Sequence, residues 1–194
     1  MRWDHLFDDL AGQLEHELTA EEADLQKEEE RLRLGRLGVR ERIVALKRTR
    51  DHALMEVAVT LRNGARIRLE PMTVGRDWMA GDIDGRDDAQ AVVPFDAIES
   101  ITLRDEQITP SLTPEEPKPD LSSRLGLPFL LRDLCRRRVA VRIDTVSSSL
   151  TGTIDRVGRD HLDLAEHDLD TPRRRDVVRG VRLVRLDQVV VLRL

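Results

Sequence analysis

The tetrapeptide Val-Gly-Arg-Asp occurs twice, at 74–77 and at 157–160, each time followed by a ring (Trp78, His161) and then an apolar residue (Met79, Leu162). Such an echo, 83 residues apart in a chain of 194, constrains the fold more than any composition figure, because it asks for one structural unit used twice. The flanking patterns keep the same order. Val57, Val59 and Leu61 alternate with other residues, as Val139, Val141 and Ile143 do 82 residues later, and Val93, Ile98 and Ile101 lie 91 residues ahead of Val184, Val189 and Leu192. The offset jumps by eight inside "HDLDTPRRRDVVRG", a charged loop where an insertion is easily tolerated.

Period-two alternation marks strands. Behind the strand of Val57, Val59 and Leu61, Asn63-Gly64 suits a two-residue hairpin turn that leads into Ile67 and Leu69. Asp84-Gly85 is a second turn, and "AVVPFDAIESITL" supplies Val92, Val93, Phe95, Ile98 and Ile101 as further strand material. Short strands with close turns, packed into about 50 residues, predict a small antiparallel barrel. In the second copy "LPFLLRDLCRRR" reads as a short amphipathic helix, using Leu127, Phe129, Leu130, Leu131 and Leu134, that feeds the strand of Val139, Val141 and Ile143. Between the copies, residues 105–123 hold four prolines and five acids with little to bury, the composition of a linker or exposed loop.

Residues 4–18 place Leu6, Leu10, Leu14 and Leu18 along one side of a helix, and Thr19 with Glu22 has the spacing of a capping box. Downstream, Leu18, Leu25, Leu32, Val39 and Leu46 recur every seven residues, with Glu28, Glu29, Glu30, Arg31 and Arg33 on the other faces and Glu29 and Arg33 at the favourable four-residue spacing. One apolar residue per heptad, interrupted by Gly35 and Gly38 at about 1 kcal/mol each relative to alanine, makes a thin seam. A helical hairpin packed on its own chain or on a partner therefore stands beside a coiled coil. The expected class is α+β: a helical region over 1–51, a first small antiparallel β-barrel over 52–104, a linker over 105–123, and a second barrel with a short N-terminal helix over 124–194.

The stretch "PFLLRDLCRRRVAVRIDTVSSSLTGTIDRVGRDHLDL" resembles the first Sm motif of the Sm-like proteins, most of all in their Hfq-like form. The residues that carry the resemblance are Pro128, Phe129, Leu130, Leu134, Val139, Val141, Gly152, Ile154 and Asp160, over about 40 residues. It implies two small Sm-like or SH3-like barrels, and in that family single-stranded RNA is the ligand. The residues that contact RNA do not carry over. The family's Tyr-Lys-His stretch has no counterpart in "LVRLDQVVVLRL", its Asp-Gln-Phe turn becomes "GRDHLDL", and its base-stacking phenylalanine falls near His161. In the first copy Pro71 stands where the second has Ile154.

Charge separates the remaining function classes. Charged residues make up 36% of the chain but the net charge is only −5, so no bulk basic character points to nucleic acid. The balance is local: residues 51–104 carry ten acids against six bases, and residues 124–194 ten acids against fifteen bases. Arg173, Arg174, Arg175 and Arg179 lie in that basic part and are the candidate phosphate contacts, with His161 and Trp78 as candidate stacking rings. The candidate protein-interaction residues are Leu18, Leu25, Leu32 and Val39, through which the chain would meet another protein or a second copy of itself.

No cofactor or small-molecule substrate is indicated, and the segment around Asp82 and Asp84 fails the calcium-loop pattern, with Arg86, Asp87 and Val93 at the positions that need an oxygen ligand, glycine and glutamate. One cysteine, Cys135, builds neither a disulfide nor a zinc site. No nucleophile elbow, phosphate loop or dinucleotide fingerprint occurs, so catalysis is not expected. No apolar run approaches the ~20 residues of a membrane span, and the acidic N-terminus is unlike a signal peptide, which fits a cytoplasmic protein. A non-enzymatic interaction or scaffold module is the expected function; Sm-like RNA binding through the arginine cluster is the alternative.

Overall fold

The computed structural model describes residues 22–49, 52–83, 86–113 and 121–194, and the chain divides into two compact units between Gly38 and Val39. In the first unit residues 22–35 form helix α1. Its Leu25 and Leu32 are exposed, and three-residue spacing carries its ion pairs: Lys27 meets Asp24 at 2.9 Å and Arg33 meets Glu30 at 2.6 Å, in place of the expected Glu29. The helical pattern breaks at 36–38, so the heptad does not run along one continuous helix. Val39 and Leu46 belong to a separate helix of the second unit. Leu18, the earlier leucines and Thr19 lie outside the described residues.

The second unit holds helices α2 (Val39–Lys47), α3 (His52–Met55), α4 (Asp105–Ser111) and α5 (Leu127–Arg137) around ten strands: β1 (Val57–Leu61), β2 (Arg66–Val74), β3 (Trp78–Ile83), β4 (Arg86–Pro94), β5 (Ile98–Thr102), β6 (Ala140–Thr145), β7 (Ser149–Val157), β8 (His161–Glu166), β9 (Gly180–Arg185) and β10 (Val189–Arg193). They form one antiparallel sheet in the order β5-β1-β2-β3-β4-β10-β6-β7-β8-β9. The expected pair of closed barrels is therefore corrected to a single open sheet. A strand has two edges; those of β4 are taken by β3 and by β10, so it cannot close on β5.

Repetition survives that correction. Each half follows one order, its fifth strand beside its first, and the irregularities coincide: the β1–β5 pairing skips Glu99 and the β6–β10 pairing skips Val190, while the β2–β3 pairing skips Met72 and the β7–β8 pairing skips Asp155. Short 3-10 turns, Phe95–Ala97 and Leu186–Gln188, join the last two strands of each half. In the first strands, register aligns Val57 with Val141 and Val59 with Ile143, 84 residues apart rather than 82. The first hairpin is longer than a two-residue turn, because Leu61 N–H donates to Ala65 O at 2.9 Å across three residues, closed by Gly64 at φ +80°.

Two cores sit on opposite faces where the halves join. Ala91 and Val93 of β4 face the first core, which also takes Val190 and Val191 from β10; Val92 of β4 and Trp78 of β3 enter the second core beside Leu192. Burial on both faces explains why "AVV" and "VVVL" are continuous apolar runs and not alternating ones. Helix α2 covers the first core with Ile43 and Leu46, and α5 covers the second with Leu127, Leu131 and Leu134.

Within 105–123, expected as exposed linker, Asp105–Ser111 is helix α4. Gln107 anchors it: its side-chain oxygen accepts from Arg104 N–H at 2.8 Å, and its Nε2 donates to the carbonyls of Leu54 and Glu56 at 2.8 Å each. Buried Ser111 accepts from Arg42 at 2.9 Å. Residues 114–120, like the Asp84-Gly85 turn, lie outside the described residues.

Candidate functional site

The two Val-Gly-Arg-Asp turns share one backbone framework. Gly75 N–H donates to Trp78 O at 2.8 Å, and Gly158 N–H donates to His161 O at 2.8 Å. A Cβ at either glycine would overlap the ring three residues on, so the glycine is needed for the ring to lie across the turn. The aspartates hold the following turn alike: Phe95 N–H donates to Asp77 O at 3.0 Å and Leu186 N–H to Asp160 O at 2.8 Å.

Their side chains differ in what they meet. Trp78 is buried, its Nε1–H donating to Leu125 O at 3.0 Å, and Arg76 N–H reaches the same carbonyl. The Asp77 carboxylate accepts from Leu127 N–H at 2.7 Å, satisfying a free donor at the start of α5. The first turn thus clamps the segment that opens the second half. The second turn is open: Arg159 and Asp160 are exposed, His161 is half-buried, and Asp160 meets only its neighbour His161, Nδ1 to Oδ1 at 2.9 Å, among the side-chain bonds described. That hydrogen bond holds the Asp160 carboxyl below the usual aspartate range. Trp78, a candidate stacking ring, is corrected to a core residue, while His161 is partly accessible.

The arginine cluster is largely occupied. Arg173 forks onto Asp155, with Nε to Oδ1 at 2.7 Å, and Arg138 reaches the same carboxylate at 3.1 Å. Arg179 pairs with Asp168 at 3.1 Å, Arg182 with Glu166 at 3.0 Å and Arg185 with Asp187 at 2.6 Å. Arg174 and Arg175 are exposed beside them. Arginines committed to carboxylates offer phosphate a weaker positive field than their number suggests.

His167, set among charged residues in "AEHDLD", is buried. Its Nδ1 donates to the Asp168 carbonyl at 2.9 Å, and its Nε2 shares a 2.8 Å bond with the Thr153 hydroxyl. A buried ring with both nitrogens used is a structural pin for the β7–β8 hairpin. Periodicity gave no sign of it.

Two apolar surfaces stand at the ends of the sheet. Between α2 and β5 runs a groove of about 390 Å³ whose apolar lining includes Val39, Ile43, Leu46, Ile98 and Ile101. At the other end β9, paired with β8 alone among the described strands, is an edge strand that carries exposed Val181 and Leu183 on the face away from the second core. Of the predicted interaction residues, Val39 lies at the groove; Leu25 and Leu32 lie on α1 in the other unit. The motif "VRLVRL" signals a strand, but only the strand order shows that no described strand pairs with its outer side.

Among the described residues no three His, Cys, Asp or Glu side chains are grouped to hold a metal ion, and no helix is long and apolar enough to cross a membrane. Comparison with family models, with curated proteins and with solved structures gives no match to this chain.

Proposed function

We propose that the chain is a non-catalytic protein-interaction scaffold, built from two Sm-like repeats joined edge to edge in one open sheet. The carrying observation is the pair of apolar surfaces, the α2–β5 groove and the β9 edge, that the described residues of 39–194 leave open on a sheet whose other strands are paired on both sides. A long exposed edge with apolar side chains invites pairing by another chain, and proteins that leave one bare expose themselves to aggregation unless a partner covers it. The Sm-like reading is supported by a helix ahead of each half, the fifth strand beside the first, and the 3-10 turn before that fifth strand. Buried Trp78 and the carboxylate-paired arginines weigh against RNA.

Photo-crosslinking amino acids placed singly at Val39, Leu183 and, as an exposed control, Arg156 test this in cells. Protein adducts concentrated at positions 39 and 183 are expected. RNA adducts lost on changing Arg173, Arg174 and Arg175 to Glu, or protein adducts equally frequent at position 156, would overturn it.

A further inference from the structure

Among the described residues no carboxylate meets Arg42, a half-buried cation of helix α2. Its Nη2 and Nε both donate to the Ser111 hydroxyl, at 2.9 and 3.2 Å, and that hydroxyl donates in turn to Ile108 O at 2.7 Å. Ser111 is wholly buried and neutral, so it orients the guanidinium without cancelling its charge. Other arginines drawn back from solvent are matched: Arg193 meets Asp144, and Arg40 meets Glu41 at 3.7 Å. Because Ser111 takes the Nε–Nη2 side of the planar fork, the end-on pair of Nη1 and Nη2 donors is left for an acceptor with two oxygens.

Arg42 lies in the wall of the α2–β5 groove, with Val39, Leu46, Ile98 and Ile101. At about 390 Å³ the groove has the volume of a site for a small ligand or a short stretch of peptide. Its other charges are acids. Asp96 and Glu99 are exposed along it, and their side chains make no hydrogen bond or ion pair among the described residues. One cation in the wall with two anions beside it disfavours a polyanion and suits a ligand that carries a single negative end and a positive charge farther along. Strand β5 decides between a hydrocarbon and a polypeptide. It pairs with β1 alone among the described strands, so its outward N–H and C=O groups call for partners that an acyl chain lacks and a peptide main chain supplies.

We infer that the groove receives the C-terminus of another polypeptide, whose last residues extend beside β5 with apolar side chains in the groove, whose terminal carboxylate accepts from Arg42, and whose upstream lysine or arginine answers Asp96 and Glu99. This rests on the interaction-scaffold reading and names the chemistry of its partner. A terminal carboxylate is carried by the main chain itself, so it meets Arg42 while every side chain before it stays free to fill the apolar wall; an aspartate or glutamate would have to replace one of those side chains. Ser111 is a positioning residue, holding the fork in place from α4.

Fluorescence anisotropy on the full chain tests this with two probes, fluorescein-labelled Gly-Ser-Lys-Val-Ile-Val ending in a free carboxylate and the same peptide ending in a carboxamide. The acid is expected to bind at least about tenfold more tightly than the amide, because only the acid makes a charge-assisted pair. Arg42→Gln, which keeps a donor for Ser111, is expected to melt like the unaltered chain and to bring the two probes within about twofold of each other. Arg156→Gln, exposed on β7, should leave the preference intact. Glu99→Lys should weaken the acid probe, and changing the probe's lysine to glutamate should restore it. That charge exchange reads the same pose without touching the guanidinium, so it decides the matter if Arg42→Gln melts early. Absence of binding, equal binding of acid and amide, an undiminished preference in Arg42→Gln, or displacement of the acid probe by decanoate as readily as by unlabelled peptide would overturn the proposal. Protein adducts at positions 39 and 183 without any preference for a free carboxylate would sink end recognition and spare the scaffold reading; carboxylate-dependent binding beside arginine-dependent RNA adducts would sink the scaffold reading and leave the end-binding groove standing.

Discussion

Gly75 and Gly158 hold the same hydrogen bond yet differ in what an added methyl would displace. At position 75 the obstacle is the buried Trp78 ring, fixed by its bond to Leu125; at position 158 it is His161, half-buried and able to swing outward. Gly75→Ala is therefore expected to destabilise the fold by about 1–3 kcal/mol, the range for overpacking a core, and Gly158→Ala by less than about 1 kcal/mol. Urea unfolding midpoints of the two variants check this, and equal losses would refute the different roles of the rings. Asp160 titrates below the usual aspartate range because His161 donates to it. A lowered folded-state value means that its contribution is fully present above the ordinary carboxylate range and lost as pH falls through the lowered value. His161→Ala should bring the Asp160 carboxyl back toward the ordinary value in a carbon-detected NMR titration.

Helix α5 shows how one element depends on a side chain fifty positions away in the sequence. The N-cap residue before it, Gly126, contributes no side-chain cap, and the Leu127 N–H is satisfied by Asp77 from the first half. Removing that carboxylate with Asp77→Ala is expected to cost about 1 kcal/mol, the usual worth of an N-terminal cap, while Asp77→Asn keeps the acceptor and most of the stability. Thermal melting of the two variants distinguishes the cap from mere charge. The sequence displayed α5 well, since Leu127, Leu131 and Leu134 mark its buried stripe and the strand positions alternate around it. Helix α4 was hidden by its composition: a proline at 110 and an acidic start resemble a linker, and only the contacts of Gln107 and Ser111 with distant backbone and Arg42 give it a reason to fold.

Taken whole, residues 39–194 behave as one body because the joint interleaves the cores. Val190 and Val191 come from the last strand but fill the first core, and Trp78 and Val92 come from the first half but fill the second. Neither half can lose its packing without opening the other's, so one cooperative unfolding transition is expected, with calorimetric and van't Hoff enthalpies in agreement. Leu192→Ala should lower the whole transition by about 2–5 kcal/mol rather than split it. Two resolved transitions in scanning calorimetry would show that the halves are independent.

The amino-acid sequence alone determined that a unit is used twice, because identical turns and matched apolar periods are local properties that survive reading in one dimension. It also marked strands in both halves and the helix before the second half, since hydrophobic period records which faces meet water. Tertiary structure alone decided that β4 takes β10 as its neighbour instead of closing on its own half. Backbone hydrogen bonds carry no residue identity, so edge pairing leaves little trace in sequence. The fate of Trp78 and His161 follows from the same choice: equivalent in the repeat, one is buried by the adjoining half and the other is left at the open end of the sheet.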